Sequence, residues 1–288
     1  MIAMDQADRL RQMVATARNR REGARFVTVT SGKGGVGKSS FTLNFAIALA
    51  RKGYRVLVID ADFGLANIDL MSSLTPDYDL TAVLKRQKRL RDIIIEGPAG
   101  IGVVSGGSGV SELIRMNEFQ LERIMGELMQ LDDIADIVLF DTGAGINSNI
   151  LRLLRASNDV IVVTTPEPTA IMDAYALLKT ISTMEHVCRI RLVVNKADSL
   201  QEADATSNNL EKASSAYLGL QIERLGCIPT DPTAVKAVKE QAPLLVAYPA
   251  SPSAQGIGII ARRFLELPTE PERTGVRRFF HMFFRAGR

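Results

Sequence analysis

Short runs of β-branched and other apolar residues alternate along this chain with longer segments in which apolar residues recur at helical spacing. The first run, residues 26–30, leads into glycines and then into a helical pattern over residues 39–51, which Gly53 ends. Further runs lie at 55–59, 101–104, 137–140, 160–164, 190–194 and 222–228. This alternation predicts repeated β-α-β units.

The runs are continuously apolar instead of alternating apolar with polar, which is typical of strands covered on both faces. We therefore predict an α/β fold in one domain, with a mainly parallel sheet sandwiched between two layers of helices. In such folds ligands bind at the carboxyl ends of the strands. Candidate chemistry should therefore follow the apolar runs.

The pattern changes near both ends of the chain. Residues 267–273 (LPTEPER) contain two prolines and no periodicity, which predicts a linker. Residues 274–288 beyond it predict an amphipathic helix. We expect an N-terminal segment over 1–25, a folded domain over 26–266, the linker, and this helix. At 100° per residue the helix would share one apolar side among Val276, Phe279, Phe280, Phe283 and Phe284, opposite Arg and His side chains.

Composition and charge narrow the class of protein. The chain has 288 residues, is 46% hydrophobic and carries only two cysteines, which excludes a disordered chain and a disulfide-stapled miniprotein. It has neither a membrane-span-length apolar stretch nor a signal peptide pattern, so we expect a cytoplasmic protein. Basic residues exceed acidic ones in both tails, while the body between them is net acidic. The tails should therefore meet an anionic partner, and we expect no nucleic-acid partner for the body.

The segment after the first run, SGKGGVGKSS at 31–40, satisfies G-x-x-x-x-G-K-[ST]. Glycines allow backbone N–H groups to point inward at an anion, and the helix that follows adds its positive end. Lys38 would reach the β- and γ-phosphates, and the Ser39 hydroxyl would ligate Mg²⁺. The predicted phosphate-binding residues are Gly32, Lys33, Gly34, Gly35, Val36, Gly37, Lys38, Ser39 and Ser40.

A second lysine, Lys33, directly follows the first glycine. With it, the loop resembles that of the deviant Walker A ATPases, the family that includes MinD, ParA and the nitrogenase iron protein. The resemblance implies a homodimer around two ATP molecules, in which Lys33 reaches the phosphates bound by the partner subunit. That lysine would supply positive charge where the transition state develops negative charge, only when two subunits meet.

Two strand-end segments supply carboxylates. DADFGLANID at 60–69 resembles the family's first switch segment, where Asp62 would orient the attacking water, Asp60 is the alternative, and Asn67 would contact phosphate. The run at 137–140 delivers Asp141 at its carboxyl end, where it would hold Mg²⁺ directly or through water. The glycines of the TGAG that follows would form a mobile second switch.

The sequence gives fewer indications of which residues would contact the nucleotide base. LVVNKAD places Asn195 just after a strand, and the resemblance implies that its amide hydrogen-bonds adenine. IPTD, with Pro229 and Asp231, resembles the second adenine-side loop of the family. An ordinary turn at Asn195 is the alternative, and nothing in the spacing alone excludes guanine.

Three strings resemble the FlhG (YlxH, FleN) group of flagellar number regulators: GGSGVSEL at 106–113, DTGAG at 141–145 and PEPTAIMDAYALLK at 166–179. At the front, DQADRLR (5–11) is similar to the segment with which that group stimulates the GTPase FlhF. The resemblance implies partner contacts for Asp5, Gln6, Leu10 and Arg11. Gln6 would position a water or phosphate and Arg11 would offset charge. A merely solvated helix is the alternative reading of this segment.

The Phe-rich C-terminal helix resembles the membrane-targeting sequence of the MinD group. Its arginines suit anionic headgroups, and two such helices on one dimer would gain avidity. Docking of this helix on its own domain is the alternative.

We therefore expect a slow, Mg²⁺-dependent ATPase, peripheral on the inner face of the cell membrane near a pole or the flagellar basal bodies, with FlhF and basal-body (C-ring) proteins as partners. Three alternatives remain open. They are a MinD- or ParA-type ATPase acting at the division septum or on DNA, a cluster carrier, and a binding module without hydrolysis.

Overall fold

Every predicted apolar run forms a strand in the computed structural model, which describes residues 23–62, 67–107, 118–128, 131–184 and 188–266. The sheet has eight strands in the order β3-β4-β2-β5-β1-β6-β7-β8, and all neighbours are parallel except β3 and β4. The strands are β1 Arg25–Thr30, β2 Val56–Ala61, β3 Ile95–Glu96, β4 Gly102–Val104, β5 Ile137–Thr142, β6 Asp159–Thr164, β7 Arg189–Ala197 and β8 Ile222–Pro229. The predicted α/β fold class is confirmed.

Helices cover both faces of the sheet. They are α1 Lys38–Ala50, α2 Asn67–Ser72, α3 Leu80–Leu84, α4 Glu118–Leu128, α5 Ser148–Ala156, α6 Pro168–Ser182, α7 Leu200–Leu218, α8 Pro232–Lys239, α9 Leu244–Ala247 and α10 Pro252–Glu266. Short 3₁₀ turns occur at Leu90–Ile93 and Pro98–Gly100. The two-residue edge strand β3 was not predicted, because Ile95 and Glu96 are too few to form a hydrophobic run.

Strand β1 shows how the two layers of helices arise. Its alternate residues Val27 and Val29 pack into the core that contains α1 and α10, whereas Phe26 packs into the core on the opposite face. All six residues of β1 are buried, as they are in β2, β5 and β6. Burying one such side chain contributes roughly 1.5–3 kcal/mol, so a strand apolar on both faces stabilises both layers.

Helix α1 is buried nearly all round, and it fixes the position of the segment that precedes it. Ten of its thirteen residues are buried. The ring of Phe45 stacks on Phe41 at 5.2 Å between centroids and meets the ring of Phe264 of α10 edge-on at 5.3 Å. A helix held this firmly makes its N-terminus a rigid support for the loop between β1 and α1.

The predicted N-terminal segment, apart from residues 23–25, the linker 267–273 and the Phe-rich helix 274–288 lie outside the described residues, as does most of the string at 106–113. Among the helices that the structure does describe, none has the length and apolar character needed to traverse a bilayer.

Candidate nucleotide site

The loop between β1 and α1 has the backbone shape that its glycines allow. Gly35 and Gly37 adopt left-handed conformations with φ of 79° and 88°. Gly32 lies so close to α6 that a Cβ there would come within 2.2 Å of the Asp173 carbonyl oxygen. The loop is therefore curled, pinned to α6 at one end, and followed at once by the N-terminus of α1, where backbone N–H groups point at the loop.

Lys38 and Asp141 meet below this loop. The Lys38 Nζ donates to Asp141 Oδ1 at 3.0 Å, and the Thr42 hydroxyl, one turn along α1, donates to the same oxygen at 2.9 Å. Asp141 is fully buried, and its Oδ2 has no hydrogen-bond partner within the described residues. The Ser39 hydroxyl accepts from Lys38 Nζ at 3.4 Å. A free carboxylate oxygen and a nearby hydroxyl are hard oxygen donors, so the residues fit a Mg²⁺ ion.

Two aspartates at the carboxyl end of β2, Asp60 within the strand and Asp62 just after it, make different contacts. Both carboxylate oxygens of Asp60 accept backbone N–H groups, from Asp62 at 3.0 Å and from Ile68 at 3.3 Å. Burial, and next the charge of Asp141, hold the pKa of Asp60 well above its usual value. Asp60 is thus occupied in shaping the turn into α2.

Asp62 remains open to the site. Its Oδ2 accepts from the Asn67 side-chain amide at 3.3 Å. Partial burial raises the pKa of Asp62, while Lys38 lowers it and Asp141 raises it further. A Cβ on Gly143 would lie 3.0 Å from Asp62 Oδ1, so the segments after β2 and β5 approach closely. Of the two candidates for orienting water, the geometry favours Asp62.

Lys33 and Lys38 have different partners, and those of Lys33 lie at the start of α6. The Lys33 Nζ donates to Glu167 Oε2 at 2.8 Å and to the Thr169 hydroxyl at 2.7 Å. The side chain of Lys33 is 36% exposed and that of Glu167 62%. The hydrogen bond from Lys33 lowers the pKa of Glu167. An ion pair this exposed is screened by solvent and contributes little to stability, so Lys33 can exchange this partner for another anion at little cost.

On the base side, the Asn195 amide contacts the loop itself. Its Nδ2 donates to the Val36 carbonyl at 2.7 Å, and its Oδ1 accepts the Lys196 N–H at 2.9 Å. The Lys196 Nζ donates to the Gly35 carbonyl at 2.8 Å. The end of β7 is thereby fastened to the outer side of the phosphate loop.

The loop after β8 joins helices. The Asp231 carboxylate accepts the N–H of Thr233 at 2.9 Å and of Ser253 at 3.1 Å, which caps α8 and links it to α10. The carbonyl oxygen of Pro229 accepts the Ser253 hydroxyl at 2.8 Å. Pro229 and Asp231 therefore lie beside the carboxyl end of β7, and their polar groups are engaged in contacts of the fold.

Four residues of this site were missed at the sequence level: Thr42, Glu167, Thr169 and Lys196. Thr42 follows Lys38 by four residues on a helix, so helical spacing could have indicated it. The other three act through contacts more than 130 residues apart in sequence, for which the chain carries no local signal.

Two sets of predicted residues lie outside the described part of the chain: Val276, Phe279, Phe280, Phe283 and Phe284, predicted to contact the membrane, and Asp5, Gln6, Leu10 and Arg11, predicted to contact a partner.

A G-x-x-x-x-G-K-S loop between the first strand and its helix, with a buried carboxylate beside it at the carboxyl end of a mainly parallel sheet, defines a P-loop NTPase. A profile of the ParA family, described as the NUBPL iron-transfer P-loop NTPase, matches residues 23–265. The chain therefore belongs to the ParA/MinD family of P-loop NTPases.

Two relatives named for flagella match nearly the whole chain. The antiactivator FleN of Pseudomonas aeruginosa is 34% identical over 254 residues, which cover 88% of this chain and 91% of FleN. The flagellum site-determining protein YlxH of Helicobacter pylori is 34% identical over 266 residues, which cover 89% of this chain and 88% of YlxH. The predicted resemblance to the FlhG group within the ParA/MinD family is confirmed.

Solved structures support the fold. The cell division ATPase MinD of Pyrococcus furiosus is 23% identical with a TM-score of 0.72, covering 85% of this chain and 100% of that one. MinD of Pyrococcus horikoshii, solved with Mg-ADP, is 22% identical with a TM-score of 0.70, covering 84% and 96%.

The sheet register separates the two cysteines. Cys227 of β8 lies opposite Val194 of β7, whereas Cys188 precedes Val194 by six residues. At about 3.3 Å per residue, the two thiols are roughly 20 Å apart along the strand direction. They cannot bind one cluster together within a single chain, as the cluster-carrier alternative would require.

Proposed function

We propose that this chain is an ATPase that dimerises around ATP, attaches to the inner face of the cell membrane, and regulates the number or placement of flagella. Its similarity to FleN and YlxH over nearly its full length supports the flagellar role. The placement of Lys33 is the observation that carries the mechanism, because a second lysine stands at the phosphate loop in an exposed pair that it can leave.

The proposed chemistry uses the residues as they stand. Backbone N–H groups of the loop and Lys38 bind the phosphates, and Ser39 and Asp141 hold Mg²⁺, which neutralises charge on the phosphates. Asp62 orients the attacking water, and Asn67 steadies Asp62. Lys33 of a second subunit supplies the remaining positive charge, so that hydrolysis depends on dimerisation.

The ends of the chain complete the proposal. Residues 274–288 bind anionic lipid through the Phe face, weakly in one copy and more strongly in a dimer. Residues 1–25, with Asp5, Gln6, Leu10 and Arg11, stimulate the GTPase FlhF, and a surface of the domain binds basal-body proteins. The protein is then cytoplasmic and peripheral at the membrane, near a pole or the basal bodies.

The central test compares Lys33→Ala with Lys38→Ala in the full chain. Light scattering with a nonhydrolysable ATP analogue measures dimerisation, and calorimetry measures nucleotide binding. We expect Lys33→Ala to retain binding within about threefold while losing the dimer and hydrolysis, whereas Lys38→Ala loses binding itself. An unchanged ATP-dependent dimer of Lys33→Ala would refute the role in trans.

The control for this test is Glu167→Gln, which releases Lys33 without removing it. We expect this variant to dimerise at least as readily as the native chain, because the competing carboxylate is gone. Dimerisation lost equally in Glu167→Gln and Lys33→Ala would indicate that the exposed pair itself, and not a free Lys33, supports the interface.

The flagellar role competes with a septum-site role, since MinD of Synechocystis is 29% identical over 251 residues. FlhF GTP hydrolysis, measured with the full chain and with a version lacking residues 1–25, distinguishes the two. Stimulation that disappears with the truncation supports the proposal. No stimulation by the full chain contradicts it.

Liposome sedimentation tests the proposed membrane role of residues 274–288. Sedimentation that survives removal of this segment contradicts that role.

A further inference from the structure

Residues 85–91, KRQKRLR, form the most basic stretch of the folded domain, and we call this stretch the basic turn. Five of its seven residues are lysine or arginine, whereas the body of the chain is net acidic. It begins at the end of α3 and runs into the 3₁₀ turn at Leu90–Ile93. None of its residues belongs to the nucleotide site. Positive charge concentrated in an acidic body indicates a surface that meets an anionic partner.

The first part of the basic turn ends α3 with a backbone conformation that usually requires glycine. Arg86 has φ of 62°, in the left-handed region. Its N–H donates to the Val83 carbonyl at 3.1 Å, and the Gln87 N–H donates to the Ala82 carbonyl at 2.9 Å. These two bonds form a Schellman motif, in which glycine most often takes the left-handed position because it has no Cβ. An arginine strains the backbone there, which directs attention to what its side chain does.

The side chains of Arg86 and Arg91 are available to a ligand. Both are exposed, and neither guanidinium makes a hydrogen bond or ion pair with a residue that the structure describes. The Lys88 ammonium lies 4.4 Å from the centre of the Tyr78 ring, which keeps a third cation beside them. A guanidinium binds a carboxylate through two parallel hydrogen bonds. Two arginines without a counter-ion therefore suit a partner that carries several carboxylates.

The far end of the basic turn is anchored in the fold. Leu90 and Ile93 are buried in the core beneath it. The Leu90 N–H donates to Glu127 Oε2 of α4 at 3.0 Å, and Arg89 pairs with Asp92 across the 3₁₀ turn at 2.9 Å. Together with the Schellman motif, these contacts fix the backbone on both sides of the exposed cations. A surface held in this way loses little conformational entropy when a partner binds.

The surroundings of the basic turn limit the kind of partner. Asp77 and Glu96, both exposed, bound it along the chain, so the positive surface is short. A bilayer or a nucleic-acid duplex presents negative charge over a larger area and would also meet these carboxylates. The core beneath the turn lies on the opposite face of the sheet from α10, which precedes the proposed membrane segment. Both tails of this chain are basic, so neither is complementary to the turn.

We propose that the basic turn is a docking surface for a segment of another protein rich in aspartate and glutamate. Arg86 and Arg91 donate to its carboxylates, and Lys88 adds positive charge between them. Tyr78, whose side chain is 43% exposed, offers an apolar contact next to these charges. This surface includes neither the nucleotide site nor the tails, so its role is independent of the proposed function. Charge of this kind speeds association and is screened by salt.

A fluorescent oligoglutamate peptide tests this role, with its binding to the full chain followed by anisotropy at low and physiological salt. Arg86→Gly removes the guanidinium, and glycine suits the left-handed backbone, so this variant should keep or raise the native urea midpoint. We expect Arg86→Gly and Arg91→Gln each to bind the peptide about 3- to 10-fold more weakly at low salt. Both losses should shrink at physiological salt.

The matched control is Arg262→Gln, which removes an exposed arginine of α10 on the opposite face of the sheet. We expect it to bind the peptide as the native chain does. Native affinity in Arg86→Gly, or equal losses in Arg86→Gly and Arg262→Gln, would overturn the inference. Anionic liposomes and duplex DNA are measured in parallel. If Arg86→Gly weakened the binding of either more than that of the peptide, the surface would belong to lipid or nucleic acid and the assignment to a protein partner would be wrong.

Discussion

The two ends of the central sheet both bury charged side chains, but they balance them differently. At the amino end, Arg25 of β1 and Arg191 of β7 share the carboxylate of Asp159 of β6, at 2.6 and 3.1 Å. The guanidinium carbons of both arginines lie over the ring of Phe264, at 4.0 and 4.8 Å from its centroid. Burial lowers the pKa of Arg191 to about 10, which still leaves it charged at neutral pH.

At the carboxyl end the balance is reversed. Asp60, Asp62 and Asp141 crowd around one buried cation, Lys38, burial raises the pKa of the first two, and one oxygen of Asp141 has no hydrogen-bond partner in the described residues. Unpaired buried polar atoms therefore occur at both ends, since atoms of Arg25, Arg191 and Asp159 also lack a hydrogen-bond partner in the described residues. What differs is the sign of the charge in excess: two arginines share one buried carboxylate at the amino end, whereas carboxylates outnumber the one lysine at the carboxyl end. The excess carboxylates lower the stability of the folded chain and leave the carboxyl end suited to binding a cation.

The largest expected effect comes from removing Asp159, the carboxylate shared by the two buried arginines at the amino end. Asp159→Ala leaves two buried guanidinium groups competing for little anionic charge, so we expect the free energy of unfolding to fall by about 3–5 kcal/mol. Urea unfolding measures the loss. The control is Glu223→Ala, whose half-exposed carboxylate lies 3.3 Å from Arg191 and should contribute less than about 1 kcal/mol. If the two variants lost equal stability, the buried ion pairs of Asp159 would contribute no more than the half-exposed pair of Glu223.

Lys38→Met tests the carboxyl end. In the native chain, MgADP at about 100 times its Kd should raise the free energy of unfolding by about 2.7 kcal/mol, because only the folded chain binds it. We expect most of that increase to disappear in Lys38→Met, measured by urea unfolding with and without MgADP. Lys179→Met, which removes an exposed cation of α6, should keep it. If MgADP raised the free energy of unfolding of Lys38→Met as much as that of the native chain, phosphate binding would not depend on the Lys38 ammonium.

The smallest expected effect is on how the stability of the nucleotide-free protein depends on pH. A carboxyl whose pKa is raised by folding binds its proton more tightly in the folded chain, so its contribution to stability is lost as pH rises from about 4 through the raised pKa. Asp62→Asn should therefore stabilise the chain at pH 7 by roughly a few tenths of a kcal/mol, since solvent screens a half-exposed group.

The same substitution should remove part of the decline in stability between pH 4 and neutrality, with hydrolysis reduced. Urea midpoints across that range measure it, and Asp77→Asn on the exposed turn before α3 is the control. If the urea midpoints of Asp62→Asn varied with pH as those of the native chain do, the proximity of the carboxylates would make no measurable contribution to stability.

The sequence predicted the sheet and the phosphate loop because both depend on local patterns. Continuous apolar runs gave the strands, and the spacing of Gly32, Lys38 and Ser39 gave the loop. The contacts of Lys33 and Asn195 could not be predicted, because their partners lie in other strand-end loops and depend on how those strands are ordered. The same limit hid Arg25, Asp159 and Arg191, whose charges meet only through the strand order β1-β6-β7.

Phe264 brings together parts of the molecule that are far apart in sequence. Its ring contacts Phe45 of α1, the helix that follows the phosphate loop, and lies against Arg25, where the first strand starts. Phe264 itself stands two residues before the last described helix ends at Glu266. The start of β1 and the end of α10 therefore meet at one corner, about 20 Å of strand away from the phosphate loop. Loss of this one ring would loosen the first strand and the last described helix together.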